Sequence, residues 1–394
     1  VWADKLLMHR IWGYPLFILI AFVMIGGSYT LIGMPLSALV ERLTETVTEA
    51  LHLLLLPYVH PFWVRLLCDG VLGGIFSVLA FLPTVASLYL ALSLLEDSGY
   101  LARAAFLFDR PMRLLGLSGR SFVPLLLGLG CSVPAVLAAR TLSSRRDRIL
   151  TLLLVPFLPC GAKIPVMAAF LTAFFPGRGW YLFPALYLLC ITVGVLASGI
   201  LSRSVFRGEA GRYLLELPPY RFPSPRHTFC LLTQRIKELF GRLFGVILLS
   251  SVVLFLLGAL TVSLTPAESA GAPNSLLQVL GRWFAPLIRP LGLSDGGMAI
   301  ALLCGLCAKE AILAALSQLS PLPGVALHAG LRALFRPDDA VVFLVFALLY
   351  TPCVASLATV RREAGWRVAA GFAVFPLLAA YGCAFLVRIG LNLF

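Results

Sequence analysis

Residues 180–202 and 242–263 are almost uninterrupted runs of apolar side chains. Each is about as long as the ~20 residues that carry an α-helix across the hydrocarbon core of a bilayer. Such runs leave a chain few options, because water-exposed segments of that length and composition would aggregate. The charge content agrees: 12% of the residues are Asp, Glu, Lys or Arg, against roughly 25% in a soluble domain. Few segments alternate apolar and polar residues as barrel strands do. The chain is therefore expected to be an all-α, polytopic membrane protein.

Further apolar runs place spans near 12–34, 70–95, 148–175, 340–360 and 366–390, with ambiguous runs at 119–139 and 296–316. Residues 36–56 differ in kind. Leu36, Leu39, Val40, Leu43, Val47, Ala50, Leu51 and Leu54 recur at helical spacing, opposite Glu41, Glu45 and Glu49. That pattern predicts an amphipathic helix lying on the membrane surface. The net charge of +13 reads as positive-inside loops rather than as a nucleic-acid surface. Loop 203–242 carries eight Lys and Arg against three acids, which places it in the cytoplasm, with a Pro-rich "PPYRFPSP" and an interfacial helix at "TQRIKELFGR". Lys5 and Arg10 put the N-terminus inside as well. The first residue is Val1, and the segment after it leads into a full span, so the start reads as a cut and not as a signal peptide.

The stretch 125–140, LLLGLGCSVPAVLAAR, then becomes informative. Arg103, Arg110, Arg113 and Arg120 precede it, and Arg140, Arg145, Arg146 and Arg148 follow it. Both flanks favour the cytoplasm, which predicts a re-entrant hairpin turning between Gly128 and Pro134, with Gly130 and Pro134 as its breakers. Irregular backbone at that depth needs protein or a polar cavity to satisfy it. The stretch also has a twin. Residues 116–139 align without a gap on 292–315 with ten of 24 positions identical, Cys131 falling on Cys307. Each copy precedes a span containing Pro-Cys: Pro159-Cys160 and Pro352-Cys353. Three spans separate the copies, and an odd number of crossings turns the second one over. Inverted pairs of broken elements that meet near the midplane are the architecture of secondary transporters.

Cys131, Cys160, Cys307 and Cys353 each adjoin an expected break, where freed carbonyls could join sulfur as ligands. Thiol ligands favour soft transition metals over Mg or Ca; the competing reading is that cysteines in spans are small packing residues. Intramembrane charges are functional by default. Lys163 and Lys309 read as caps or salt bridges that hold broken helices together, since a lysine would repel a cation. Glu310 fits either cargo contact or structure. Glu96 and Asp97, in "LEDSGYLARAAFLFDR", fit either an acidic site on the exit side or an ion-paired helix start.

"FLPTVASLYLALSLLEDSGYLARAAFLFDR", "GLSGRSFVPLLLGLGCSVPA", "RTLSSRRDRILTLLLVPFLPCGAKIPV" and "LLYTPCVASLATVRRE" together resemble the membrane domain of the bacterial ferrous iron transport protein B (FeoB) family. Its two Gate segments also occur in nucleoside transporters. The resemblance implies an inverted repeat of two Gate-type units with broken, re-entrant helices. It divides the chain into a first span and outer helix (1–66), a first Gate repeat (67–178), a linking span with the basic loop (179–241), a second Gate repeat (242–365) and a last span (366–394). It implies Fe2+ as the transported substrate across the bacterial inner membrane, with Cys131, Cys160 and Cys353 on the family's motif positions. Lys163 stands where the family often has Arg. It implies as partners the lipid bilayer, small accessory Feo proteins, further copies of the chain and a GTPase domain that would bind GTP and Mg2+. No G-x-x-x-x-G-K-[ST] loop surrounds any lysine here, so that domain is expected upstream of this chain.

The rival classes are an intramembrane enzyme, another Gate-type carrier, and an inert scaffold that anchors a signalling domain and carries no flux. "GLSG" at 116–119 matches an intramembrane serine protease motif, but all five histidines map to loops or surface helices, which leaves Ser118 without a base. The chain is accordingly expected not to be an enzyme. A Gate-type carrier of nucleosides, other organic solutes or other divalent metals is the alternative transporter.

Overall fold

A helix buried in lipid must bond all its backbone groups internally, and this chain complies except at a few breaks. The computed structural model describes residues 7–9, 11–58, 60–204, 206, 224–260, 275–293, 296–319 and 327–393. Among them there is no β-strand. Lys5, Arg10 and the "PPYRFPSP" loop fall wholly or largely outside the described residues.

Helix α1 (Gly13–Leu55) and α2 (Pro61–Asp97) form an antiparallel pair. Short helices α3 (Tyr100–Leu107) and α4 (Asp109–Leu114) lead into the first hairpin, α5 (Phe122–Gly130) and α6 (Ser132–Ala139). The first Pro-Cys span follows in two halves, α7 (Arg145–Leu154) and α8 (Lys163–Phe174). Helices α9 (Gly179–Ser204), α10 (Pro225–Ala259) and α11 (Leu276–Ile288) connect to the second hairpin, α12 (Gly296–Cys307) and α13 (Ala311–Leu319). Segments Leu276–Leu291 and Gly296–Cys307 meet at 103°. After the short α14 (Leu327–Leu334), the second Pro-Cys span is again split, into α15 (Pro337–Leu349) and α16 (Val354–Ala364); α17 (Trp366–Leu393) ends the chain. Among the described residues, five helical stretches are long and apolar enough to cross a membrane, or six if the bent pair Leu276–Leu291 and Gly296–Cys307 counts as one span.

The second unit is inverted on the first, and side chains at both ends of the split spans demonstrate it. Arg148, at the start of α7, donates to the Glu363 carbonyl at the end of α16 at 2.7 Å. At the other end, Thr172 of α8 lies 3.0 Å from His328 of α14, the short helix that leads into α15. Phe170 stacks on Phe343 at 5.4 Å between them. The two split spans thus run antiparallel through a core of buried residues that includes Phe157, Phe170, Phe343 and Phe372.

One element departs from its sequence expectation. Residues 36–56 do not form a separate surface helix: α1 continues without interruption over 43 residues, roughly 65 Å at 1.5 Å per residue. Pro35 would ordinarily break it, through its missing N–H and its clash with the carbonyl one turn back. A π-helical turn at Tyr29–Gly33 widens the backbone just before the proline and relieves that clash. Tertiary bonds hold the extension in place, since Ser28 and Ser37 donate to the Ser87 and Ala80 carbonyls of α2 at 2.8 and 2.6 Å. "TQRIKELFGR" likewise joins α10 rather than forming a helix of its own.

The α1–α2 approach is close enough to exclude a side chain at Gly33, where a Cβ would lie 2.7 Å from the Ser87 hydroxyl. Nothing lies within 4 Å of the same position on Gly26. Gly33→Val should therefore lower thermal stability in detergent by about 1–3 kcal/mol. Gly26→Val should stay within about 0.5 kcal/mol of the parent; equal losses would contradict this packing.

Candidate functional site

Four backbone breaks converge inside the bundle. In the first hairpin, Cys131 alone is extended (φ −154°, ψ 137°) between helices. The chain then folds back, because a Cβ on Gly128 would touch that of Ala135 at 3.7 Å, whereas seven residues of straight helix span about 10 Å. Gly130 has no room for a side chain, since its Cβ would overlap Leu88. Its carbonyl accepts the Gly161 amide at 2.9 Å, which ties the hairpin tip to the break of the first split span. Pro134 sits in the first turn of α6, where a missing N–H costs no helical bond.

That second break runs from Leu158 to Ala162 and contains Pro159 and Cys160. Its loose carbonyls are taken by Lys163, buried at 4% exposure, whose Nζ donates to Pro156 at 2.9 Å and Leu158 at 3.2 Å. The inverted unit repeats the device with different wiring. Its hairpin breaks at residues 308–310, and Gly305 has no space for a side chain against Ile312 and Tyr350. Lys309, also 4% exposed, donates to the Thr351 carbonyl at 2.8 Å and lies 3.4 Å above the Tyr350 ring. The Tyr350 hydroxyl in turn donates to Leu302 at 2.9 Å. Tyr350 to Cys353, with Pro352, form the fourth break, and Cys353 occupies the N-cap position of α16. Both lysines therefore serve the carbonyls that helix breaking exposes.

Cys131 and Cys353 border one small cluster, packing against Val85, Tyr89, Val133 and Ala355. Cys160 lies within electrostatic reach of both. Cys307 meets Ser250 on the α10 side and, like Cys160, lies within electrostatic reach of Cys353. Among the described residues no group of three or more His, Cys, Asp or Glu side chains is close enough to hold a metal ion. Cys131, Cys160 and Cys353 thus gather in one region without forming a ready-made three-donor cage. Glu310 lines a cavity of about 330 Å³.

Glu96 and Asp97 are engaged. Glu96 pairs with Arg235 of α10 at 2.8 Å, and Asp97 accepts from Thr228 at 2.9 Å. Arg235 also lies 5.8 Å from the centre of the Tyr89 ring. Tyr89, Tyr350 and Thr351 were missed by sequence reasoning. Tyr350 and Thr351 directly precede Pro352-Cys353, a signal that was available. Ser118 faces Ser121 at 3.5 Å.

Comparison with known proteins follows this geometry closely. A Gate family model described as "Nucleoside recognition" matches residues 78–174 and 240–367, which contain all four breaks. A second, "Ferrous iron transport protein B C terminus", matches 183–235. The chain belongs to the ferrous iron transport protein B family. A relative named Fe(2+) transporter FeoB from Staphylococcus aureus (strain MSSA476) is 34% identical over 389 residues, covering 97% of this chain and 58% of the relative. One of the same name from Legionella pneumophila (strain Philadelphia 1) is 34% identical over 437 residues, covering 96% of this chain and 57% of the relative. The chain thus spans somewhat over half the length of these family members. No solved structure matches it.

The two lysines give a direct test of the site's construction. Lys309→Met or Lys163→Met should each cost about 1–3 kcal/mol of thermal stability by leaving buried carbonyls unpaired. Melting curves unchanged in both variants would show that the carbonyls find other partners.

Proposed function

We propose that this chain moves Fe2+ across the bacterial inner membrane, with its N-terminus in the cytoplasm and its route passing the helix breaks. The observation that carries this reading is the convergence of Cys131, Cys160 and Cys353 at broken backbone shared by the two inverted units. A ferrous ion must exchange part of its water for ligands in order to cross. Sulfur suits a borderline-soft ion, and carbonyl oxygens at helix breaks supply the remainder. Among the described residues no three-donor cage forms, and a transit route calls for sites that also release their ion. Cys307, which meets Ser250 of α10, is assigned packing rather than ligation.

The names of the curated relatives support the substrate. The remaining length of those relatives leaves room for the GTPase domain expected upstream. In this reading GTP and Mg2+ act there, accessory Feo proteins and further copies of the chain act as partners, and the residues here form the passage rather than an enzyme. Helix α10 runs from the basic loop past Glu96 and Tyr89 to the breaks, so it is the element through which such a domain would act.

Reconstituted in liposomes, the chain should take up Fe2+ under anaerobic conditions. Cys131→Ser and Cys353→Ser should each lower the rate at least tenfold while melting within about 1 kcal/mol of the parent. Unchanged uptake in both variants would remove sulfur from the route. After dialysis against metal-free buffer, the purified chain should retain well under one equivalent of iron; stoichiometric retention would point to a resident metal centre instead.

A further inference from the structure

A groove of about 680 Å³ runs between α10, α11, α12 and α16. Along α10 it extends from Gly241 to Leu257, about 24 Å at 1.5 Å per residue. Leu249, Val253 and Phe284 stand exposed on its walls. A Cβ added at Gly241 or Gly245 would meet nothing within 4 Å, so at both positions α10 presents bare backbone to open space.

The lining is apolar except for three side chains. The Ser250 hydroxyl already donates to the Ile247 carbonyl at 2.8 Å, and the Cys307 thiol meets Ser250. The third is Arg362, which has no ion pair, hydrogen bond or ring contact among the described residues. Its neighbour Glu363 is engaged by Arg148, and no Asp or Glu lines the groove. An unpaired guanidinium thus stands at the rim of an otherwise apolar slot.

Depth in the bilayer says what such a slot takes. Glu238 of α10 pairs with Arg140, and Glu363 of α16 with Arg148, so these two helix ends lie on the same face of the bundle. Val354 starts α16 at the Cys353 break, and Arg362 stands eight residues further on, about 12 Å along the helix. Gly241 stands nine residues before Ser250, about 14 Å. With the breaks at mid-bilayer, half of the ~30 Å hydrocarbon core brings both residues to the depth where acyl chains give way to headgroups. The groove continues from there past Cys307 and Val354, longer than the ~15 Å of one leaflet.

We propose that this groove binds one anionic phospholipid, its phosphate on Arg362 and one acyl chain laid along α10 over Cys307 and Val354. A guanidinium can grip phosphate through two parallel hydrogen bonds. The ammonium of a zwitterionic headgroup would find no carboxylate in the groove and would sit beside a cation, which selects for net negative charge. So placed, the acyl chain keeps water from the second hairpin's break on its lipid side. The site rests on the breaks lying at mid-bilayer and does not require that iron be carried.

Native mass spectrometry of the delipidated chain tests it, with phosphatidylglycerol and phosphatidylethanolamine of identical acyl chains supplied in equal amounts. The first lipid bound should be phosphatidylglycerol by roughly fivefold, the equivalent of about 1 kcal/mol for one arginine at an anionic headgroup. Arg362→Gln should bring the ratio close to one, whereas Arg361→Gln, outside the lining, should keep it. Gly245→Leu should fill the groove and lose that first site for both lipids. Cys307 supplies a second readout that uses the parent fold. A lipid-soluble maleimide should label it more slowly once phosphatidylglycerol is added, with Cys383 on α17 unaffected and the protection gone in Arg362→Gln. A phosphatidylglycerol preference that survives Arg362→Gln, or Cys307 labelling indifferent to the lipid, overturns the site and leaves only general contact with the bilayer.

Discussion

Everything in this fold depends on how carbonyls freed by helix breaking are satisfied away from water. A break at membrane depth releases several acceptors, and each left unpaired costs the protein a few kcal/mol. Lys163 and Lys309 resolve this by reaching into the breaks at Pro156–Leu158 and at Thr351. A lysine suits the task because one ammonium offers three donors on a flexible stem. The Tyr350 ring face adds a second stabilising contact for Lys309. The two units solve the problem differently. Lys163 closes its own span, while Lys309 reaches from hairpin to span, a job that the Gly161–Gly130 backbone bond does in the first unit.

With both lysines committed to carbonyls, the thiols are the groups that the proposed route leaves for a passing cation. Antiparallel alignment of the split spans, fixed by Arg148 with Glu363 and Thr172 with His328, brings the breaks to one level. On the cytoplasmic side of that level in the proposed orientation, Arg235 joins Glu96 and the Tyr89 ring.

Much of this was legible in the residues. Apolar runs located the spans, and Gly130, Cys131 and Pro134 marked the first hairpin, because breakers inside an apolar run have few explanations. The gapless repeat found the second hairpin but not its register. The first turn occupies one residue at Cys131 and the second occupies three, 308–310, a difference that identity counts do not carry. The continuity of α1 was hidden because acidic residues along one face suggest a helix lying flat. Only the π turn before Pro35, and the serine bonds to α2, show that it continues alongside α2. Glu96 and Asp97 drew attention as charges near a span end, yet their partners Arg235 and Thr228 lie more than 130 residues away, beyond any local pattern. Charge sign alone favours a structural role for Lys163 and Lys309, and both donate to carbonyls at the breaks.

The central claim is that the breaks present sulfur and backbone oxygen together to a ferrous ion. Iron K-edge X-ray absorption on the chain in lipid nanodiscs, with Fe2+ held in saturating, oxygen-free buffer and the free ion subtracted, tests it most directly. The account predicts nearest neighbours that mix sulfur with oxygen, and loss of the sulfur contribution when Cys131 and Cys353 are both changed to serine. A shell of oxygen and nitrogen alone in the parent chain would contradict it.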